Sequence, residues 1–286
     1  MIKNIQTKQV IIIGAVLLLI AFLFTRDIKG LVKPKEDTIS APAAGELASN
    51  AVKEINLQEV STTGKNLINT SLAAEITTLE NNYKSAPEKD KMKLALSLAQ
   101  KWDDVEMPVP SALYLEQVAN KEPRLDNWLN AGGRFMKAFD LTRDSIMQPT
   151  LLQKANLAYK KAMELDSTNA DAKTGLGITI VNGMGMPMEG IAMLLDVVKK
   201  DPNNLKANMS LGTFAIKSGQ FDKAIDRFKD IIAQKPSPDA YFYLATAYEN
   251  LGKKKEAIAA YLNSKKLAAN PTLSKFIDKR VEELSK

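Results

Sequence analysis

The sequence predicts an all-α protein whose main body is a solenoid of about five helix pairs. A membrane-spanning helix and an amphipathic helix precede the solenoid, and a C-terminal capping helix closes it. Self-similarity with a period near 34 residues runs from position 92 to 271, which is the signature of stacked helical hairpins. One uninterrupted apolar run lies near the N-terminus. Aromatic residues make up only 6% of the chain, which is few for a β-sandwich or barrel.

The composition indicates a folded chain without the side chains of many enzymes. Of the 286 residues, 45% are hydrophobic and 25% are charged, which suffices for a core and argues against disorder. Cysteine and histidine are absent, so disulfides, cysteine nucleophiles, the usual zinc sites and histidine acid–base catalysis are excluded. No phosphate-binding glycine loop or nucleophile elbow is present. We therefore predict a protein that is not an enzyme and has no cofactor or metal.

The apolar run predicts a transmembrane helix over residues 9–25, after a short N-terminal tail at 1–8. It contains no polar side chain between Gln9 and Thr25, and its 17 residues are at the short end of a bilayer span. The flanking Lys8 and Arg26 can extend its reach to the interface. A cleaved signal peptide is the alternative, but no small-x-small cleavage site comes after the run, so we favour an uncleaved anchor.

Residues 26–50, rich in Pro, Ala, Ser and charge, are predicted to be a linker. The cations around the span slightly favour a cytoplasmic position for the C-terminal part. A single N-terminal signal-anchor, however, more often exports the chain on its C-terminal side, and we expect export. The net charge of +6 is concentrated near the two ends of the chain rather than on one repeat face. This distribution argues against nucleic acid as a partner.

Residues 51–88 are predicted to form a helical prelude. Apolar residues recur with steps of four, four, three and four, which places them on one helical face: Ile68, Leu72, Ile76, Leu79 and Tyr83. A weaker helical pattern runs from 47 to 60. We favour a cap over the open end of the solenoid, since such an end exposes core unless it is covered. A partner helix or a coiled coil is the alternative.

Small and bulky residues alternate at matched positions of each repeat. Small residues that allow two helices to touch recur at Ala99, Gly132, Gly177, Gly212 and Ala245. A second small set recurs at Ser111, Ala155, Gly190, Ala224 and Ala257, and bulkier residues lie four positions later at Leu115, Tyr159, Leu194, Phe228 and Tyr261. The pattern predicts helices in close contact, with large side chains filling the spaces between neighbouring pairs.

This arrangement resembles the tetratricopeptide repeat, a helix–turn–helix of 34 residues. The motif is most specific in LKANMSLGTFAIKSGQFDKAIDRFKDIIAQKPSP (205–238) and in the copy at 239–271. The resemblance implies a right-handed α–α solenoid over 89–271 and a capping helix at 272–286. Its five copies lie at about 92–125, 126–169, 170–204, 205–238 and 239–271.

Two copies are longer than the family pattern. The second has about eleven extra residues near 140–150, for which a longer helix and a projecting loop are both possible. The third has one extra residue within 181–190, where Met184, Met186 and Met188 alternate. Thioethers can bind Cu(I), but we favour a loop whose methionines pack against the neighbouring repeat. Three acids in the turn of the first copy could bind Ca²⁺, but they lack the spacing of a calcium loop, and we favour a solvated turn: Asp103, Asp104 and Glu106.

The resemblance also implies that the first helix of each pair faces a concave groove. The groove residues would be Leu129, Met136, Ile178, Val181, Met209, Thr213, Ile216, Phe242 and Thr246. They are mostly apolar, and the polar clamp with which some family members grip a terminal carboxylate is missing. Such a groove suits an amphipathic helix or an extended apolar segment. Filling by residues 65–83 or by a second copy of the chain remains possible.

These features predict a membrane-anchored scaffold or assembly factor that binds protein partners through its groove. The layout is similar to that of bacterial envelope proteins with one anchor and a repeat domain. By this similarity we expect a single-pass protein of the inner membrane with its soluble part in the periplasm. The alternative is a structural membrane protein that self-associates through the groove or the prelude helix.

Overall fold

A computed structural model describes residues 54–286. These residues form thirteen α-helices and one π-helical turn, and they contain no strand. The helices are α1 Leu57–Lys65, α2 Thr70–Ser85, α3 Glu88–Asp104, α4 Pro108–Lys121, α5 Leu125–Leu141, α6 Met147–Leu165, α7 Ala170–Thr179, α8 Pro187–Lys200, α9 Leu205–Lys217, α10 Phe221–Gln234, α11 Pro238–Asn250, α12 Lys254–Leu267 and α13 Pro271–Leu284.

The helices from α3 to α12 form five antiparallel pairs that stack in sequence order. Each helix packs on the next, and the first helices of successive pairs also touch from α5 through α7 and α9 to α11. The predicted solenoid of five helix pairs is therefore confirmed. Helix α13 packs on α12 and buries Ile277, as expected of a cap, whereas Phe276 of the same helix is 51% exposed.

The alternation of small and bulky residues sets the spacing of the pairs. A Cβ atom added at Gly132 would lie 3.0 Å from the ring of Tyr159, and one added at Gly175 would lie 2.3 Å from the same ring. Tyr159 therefore fills the space between its own pair and the next. Phe228 has the corresponding place in the fourth pair. A Cβ atom added at Gly212 would lie 2.7 Å from the Phe228 ring. The absence of a side chain is what allows these helices to approach.

The turns within the first, fourth and fifth helix pairs each use one left-handed residue. Gly219 and Gly252 have φ values of 75° and 71°, which glycine adopts without steric cost. Glu106, with φ 57°, has this position in the first pair. Asp103, in the same turn, pairs with Arg134 and Lys137 of α5. Asp103 is thus part of the contact between α3 and α5, whereas Asp104 and Glu106 are exposed. No cluster of metal-ligating side chains is found in residues 54–286.

The two longer copies accommodate their extra residues in different ways. In the second, α5 and α6 have 17 and 19 residues, and a short connection joins them. In the third, the single extra residue lies in the π-helical turn Ile180–Met184, where Gly183 departs from helical geometry with φ 135° and ψ 7°. Met186 and Met188 do not pack against a neighbouring repeat, since they are 71% and 75% exposed.

Helices α1 and α2 pack against α3 and α4 at the first pair. Buried Glu80 of α2 accepts hydrogen bonds from Ser61 Oγ at 2.6 Å and from Lys65 Nζ at 2.7 Å. Tyr114 of α4 lies beside this carboxylate, and burial together with the Glu80 charge raises the pKa of its phenol. Gly64 of α1 lies on the ring of buried Trp102. The prelude helices therefore cover the first pair of the solenoid.

Within residues 54–286, no helix combines the length and the apolarity that a membrane crossing requires. The predicted span at 9–25 and the linker at 26–50 lie outside the described residues, as does the start of the weaker helix predicted over 47–60.

Candidate functional site

A groove of about 1190 Å³ lies along the first helices of four successive pairs. Helix α5 contributes one wall, α9 lies across the middle, and α11 closes the far end. Ile178 of α7 and Tyr159 of α6 complete the lining. The groove exists because the first helices of consecutive pairs touch one another on the same side of the solenoid.

Seven of the nine residues expected at the groove line it: Met136, Ile178, Met209, Thr213, Ile216, Phe242 and Thr246. The structure places the other two elsewhere. Leu129 packs against the core around Trp128 and Ala162, and Val181 packs against the core around Leu194. No residue of α2 lines the groove, so this helix does not fill it.

The hydroxyl groups on the floor of the groove already donate hydrogen bonds to backbone carbonyls, so they do not require a polar ligand. Thr213 Oγ1 donates to the carbonyl of Ser210 at 2.9 Å, and Thr246 Oγ1 donates to the carbonyl of Phe242 at 3.0 Å. The hydroxyl of Ser210 donates in the same way to its own helix. Since these donors are satisfied within the helices, an apolar ligand would leave none of them unpaired.

The far end of the groove is aromatic. Phe242 lies with its ring 5.9 Å from that of Tyr243 and 5.6 Å from that of Tyr261. Phe276 of the capping helix is 5.9 Å from Phe242, so the aromatic surface continues beyond the groove onto α13. Aromatic surfaces of this kind provide large contact areas at a low cost in side-chain entropy.

Sequence reasoning missed the charged residues of the groove. Lys137 and Asp140 lie on α5, and Lys206 and Lys217 lie at the two ends of α9. Burial raises the pKa of Asp140, and the nearby charge of Lys217 partly opposes this. Burial also raises the pKa of Tyr159 to about 12, so its phenol is neutral at physiological pH. The helical periodicity of α9 could have predicted that Lys206 and Lys217, eleven positions apart, lie on one face of this helix.

The extra residues of the second copy have a role in the groove. The lengthened C-terminal end of α5 brings Phe139, Asp140 and Leu141 to its wall. A helix pair of ordinary length would end before these positions. The insertion therefore enlarges the groove and adds its acidic side chain.

A stack of helical hairpins with a concave apolar face defines the class of helical-repeat proteins. Residues 209–271 match the tetratricopeptide repeat family. This part of the chain therefore contains tetratricopeptide repeats, as its resemblance to this family predicted.

Comparisons with individual proteins give further similarities. Over 148 residues the chain is 27% identical to the BBSome complex member BBS4 of Bos taurus; this covers 51% of the chain and 28% of that relative's length. The chain is also similar to the crystal structure of MamA, with 23% sequence identity and a TM-score of 0.43. This match covers 59% of the present chain and 92% of the MamA chain. A second similar structure is that of YrrB, described as a TPR protein with an unusual peptide-binding site, with 16% sequence identity and a TM-score of 0.42. This match covers 67% of the present chain and 94% of the YrrB chain.

Proposed function

We propose that this protein is a scaffold that binds an extended apolar segment of a protein partner in its groove. The observation that carries the proposal is the mostly apolar lining along the first helices from α5 to α11. Its volume of about 1190 Å³ is above the range of about 300–1,000 Å³ that is usual for small-molecule pockets. The mechanism is binding and positioning rather than chemistry.

The size of the groove suits a short peptide. Helix α9, which lies in the middle of the groove, has 13 residues and is about 20 Å long. An extended chain advances about 3.3 Å per residue, so roughly six residues fit when the chain runs along α9. Met209 and Thr213 of α9 lie on the lining of the groove, and Phe242 lies at its aromatic end.

Substitution of Met209 by aspartate tests this function. A buried charge against an apolar ligand should lower the recovery of a cross-linked partner from membranes at least about tenfold. Thr213→Glu should have the same effect, and it removes no core side chain. The measurement is quantitative mass spectrometry of complexes captured with the full chain, after circular dichroism has shown unchanged helix content.

Leu157→Asp is the matched control, because Leu157 is 45% exposed and does not line the groove. It should leave partner recovery unchanged. Equal recovery with all three variants would refute the proposal. A loss of self-association in detergent on Met209→Asp, with no other protein captured, would assign the groove to a second copy instead.

We also propose that the partner is membrane-associated, with the protein anchored in a bacterial inner membrane through residues 9–25 and its repeats on the periplasmic side. The apolar run of the sequence supports this setting. Anchoring would raise the effective concentration of the groove near membrane complexes. Protease added to intact spheroplasts should therefore digest the repeats of the full chain, and a cytoplasmic marker should stay intact. Protection of the repeats until the membrane is broken would place them in the cytoplasm.

A further inference from the structure

Two lysines of α9 lie on the groove, one near each end of the helix. Lys206 and Lys217 are eleven residues apart, which is close to three full turns, so they share one helical face. Their Cα atoms are separated by about 16 Å along the helix axis. Ser210 and Thr213 lie between them on the same lining, and the apolar Met209 and Ile216 flank them.

Neither lysine has an anionic partner within ion-pair distance in the described part of the chain. The ammonium of Lys206 lies 5.9 Å from the centre of the Tyr159 ring, and that of Lys217 lies 5.5 Å from the centre of the Phe214 ring. Lys137, which also lines the groove, is bonded to Asp103 at 2.7 Å. The two lysines of α9 are therefore the cations available to a ligand.

The groove thus has an excess of positive charge around an apolar floor. Asp140 is the carboxyl group of the lining, and its interaction with Lys217 partly offsets the rise in its pKa that burial causes. An acidic ligand group would compete with Asp140 for Lys217, whereas the ammonium of Lys206 lies over the Tyr159 ring without an ion-pair partner among residues 54–286.

Building on the proposed function, we propose that the occupant is an extended protein segment with two acidic side chains that flank apolar residues. One acid would pair with Lys206 and the other with Lys217. Alternate residues of an extended chain face the same side, so a spacing of four or six residues spans about 13–20 Å and brackets the separation of the lysines. The apolar residues between the acids would lie on Met209 and Ile216.

The probes are nine-residue peptides with two glutamates four or six residues apart and leucine, isoleucine or phenylalanine between them. Both ends are blocked by acetyl and amide groups, so that no terminal carboxylate contributes. Binding to the full chain in nanodiscs is measured by fluorescence anisotropy. The glutamate peptides should bind about tenfold more tightly than their glutamine counterparts, as expected if each ion pair gives about threefold. The difference should decrease as salt is added.

Protein variants assign the charges. Lys206→Gln and Lys217→Gln should each weaken the binding of the glutamate peptides about threefold and leave that of the glutamine peptides unchanged. Asp140→Asn should strengthen the binding of the glutamate peptides about twofold. The reason is that this substitution removes a negative charge that competes for Lys217 and repels the ligand. Lys229→Gln is the matched control, since this lysine also lies over an aromatic ring, that of Tyr248 at 5.9 Å, but does not line the groove.

The outcomes separate this inference from the proposed function. Equal affinity for the glutamate and glutamine peptides, lost on Met209→Asp, would refute the acidic recognition and support the apolar groove. A glutamate preference that stays at its full size of about tenfold in both lysine variants would also refute the acidic recognition. Absence of binding by every peptide in the panel would count against the groove as a peptide site and against the acidic recognition together.

Discussion

Replacement of Phe228 by alanine should lower the free energy of unfolding by about 3–5 kcal/mol. The Phe228 side chain is fully buried between three helices. Its ring is stacked on that of Tyr243 of α11 at 5.6 Å, and it fills the space beside Gly212 of α9. Truncation would leave a cavity that the flanking helices cannot close, because their other contacts fix their separation.

Urea denaturation of the full chain in detergent, monitored by circular dichroism, measures this loss. Phe276→Ala is the control, since this ring is half exposed and its loss should cost less than about 1 kcal/mol. A similar loss for the two variants would show that Phe228 does not fill the space between the pairs. Gly212→Ala adds a further check: its methyl group would clash with the Phe228 ring at 2.7 Å, so it should be tolerated better when residue 228 is alanine.

The sequence predicted the contacts between helices more completely than the conformation of the turns. The pairing of Gly212 with Phe228, 16 positions later, arises from the repeat spacing. That of Gly132 with Tyr159, 27 positions later, arises from the same spacing lengthened by the eleven extra residues of the second copy. Glu106 carried no such signal. It has the left-handed turn position in the first pair that Gly219 has in the fourth, and a glutamate is not the residue that this conformation favours.

Helical periodicity also explains which groove residues were predicted. Met209, Thr213 and Ile216 of α9 share one face of a regular helix, and the structure places all three on the groove. Val181 lies elsewhere because it belongs to the π-helical turn, where the angle per residue differs from that of an α-helix. Its side chain packs towards α8 as a result.

The charges of the groove depend on features that the repeat pattern does not contain. Asp140 reaches the lining only because α5 is longer than an ordinary first helix. Lys206 and Lys217 lie beside the positions that the family pattern assigns to the groove. Their exposure there depends on the positions of α5 and α7 relative to α9, which periodicity within one helix does not specify.

Gly190→Ala should destabilise the protein by about 3 kcal/mol, at the upper end of the usual range for an overpacked core. Helices α7 and α8 make their closest approach here. The added Cβ would lie 2.5 Å from the carbonyl oxygen of Gly177 and 2.7 Å from Cγ2 of Val181. The first of these atoms belongs to the backbone, so the clash can be relieved only by moving a whole helix.

Gly133→Ala is the matched control for this substitution, because Gly133 is also helical but its added Cβ would meet only the Tyr159 hydroxyl at 3.8 Å. This change should be neutral or should stabilise the protein by up to about 1 kcal/mol, since alanine favours helix over glycine. Equal effects of the two substitutions in urea denaturation would contradict the close approach of α7 and α8. Because α7 carries Ile178 on the groove, Gly190→Ala should also weaken peptide binding. A substitution that destabilised the protein without moving α7 would instead leave the peptide affinity of the folded fraction unchanged.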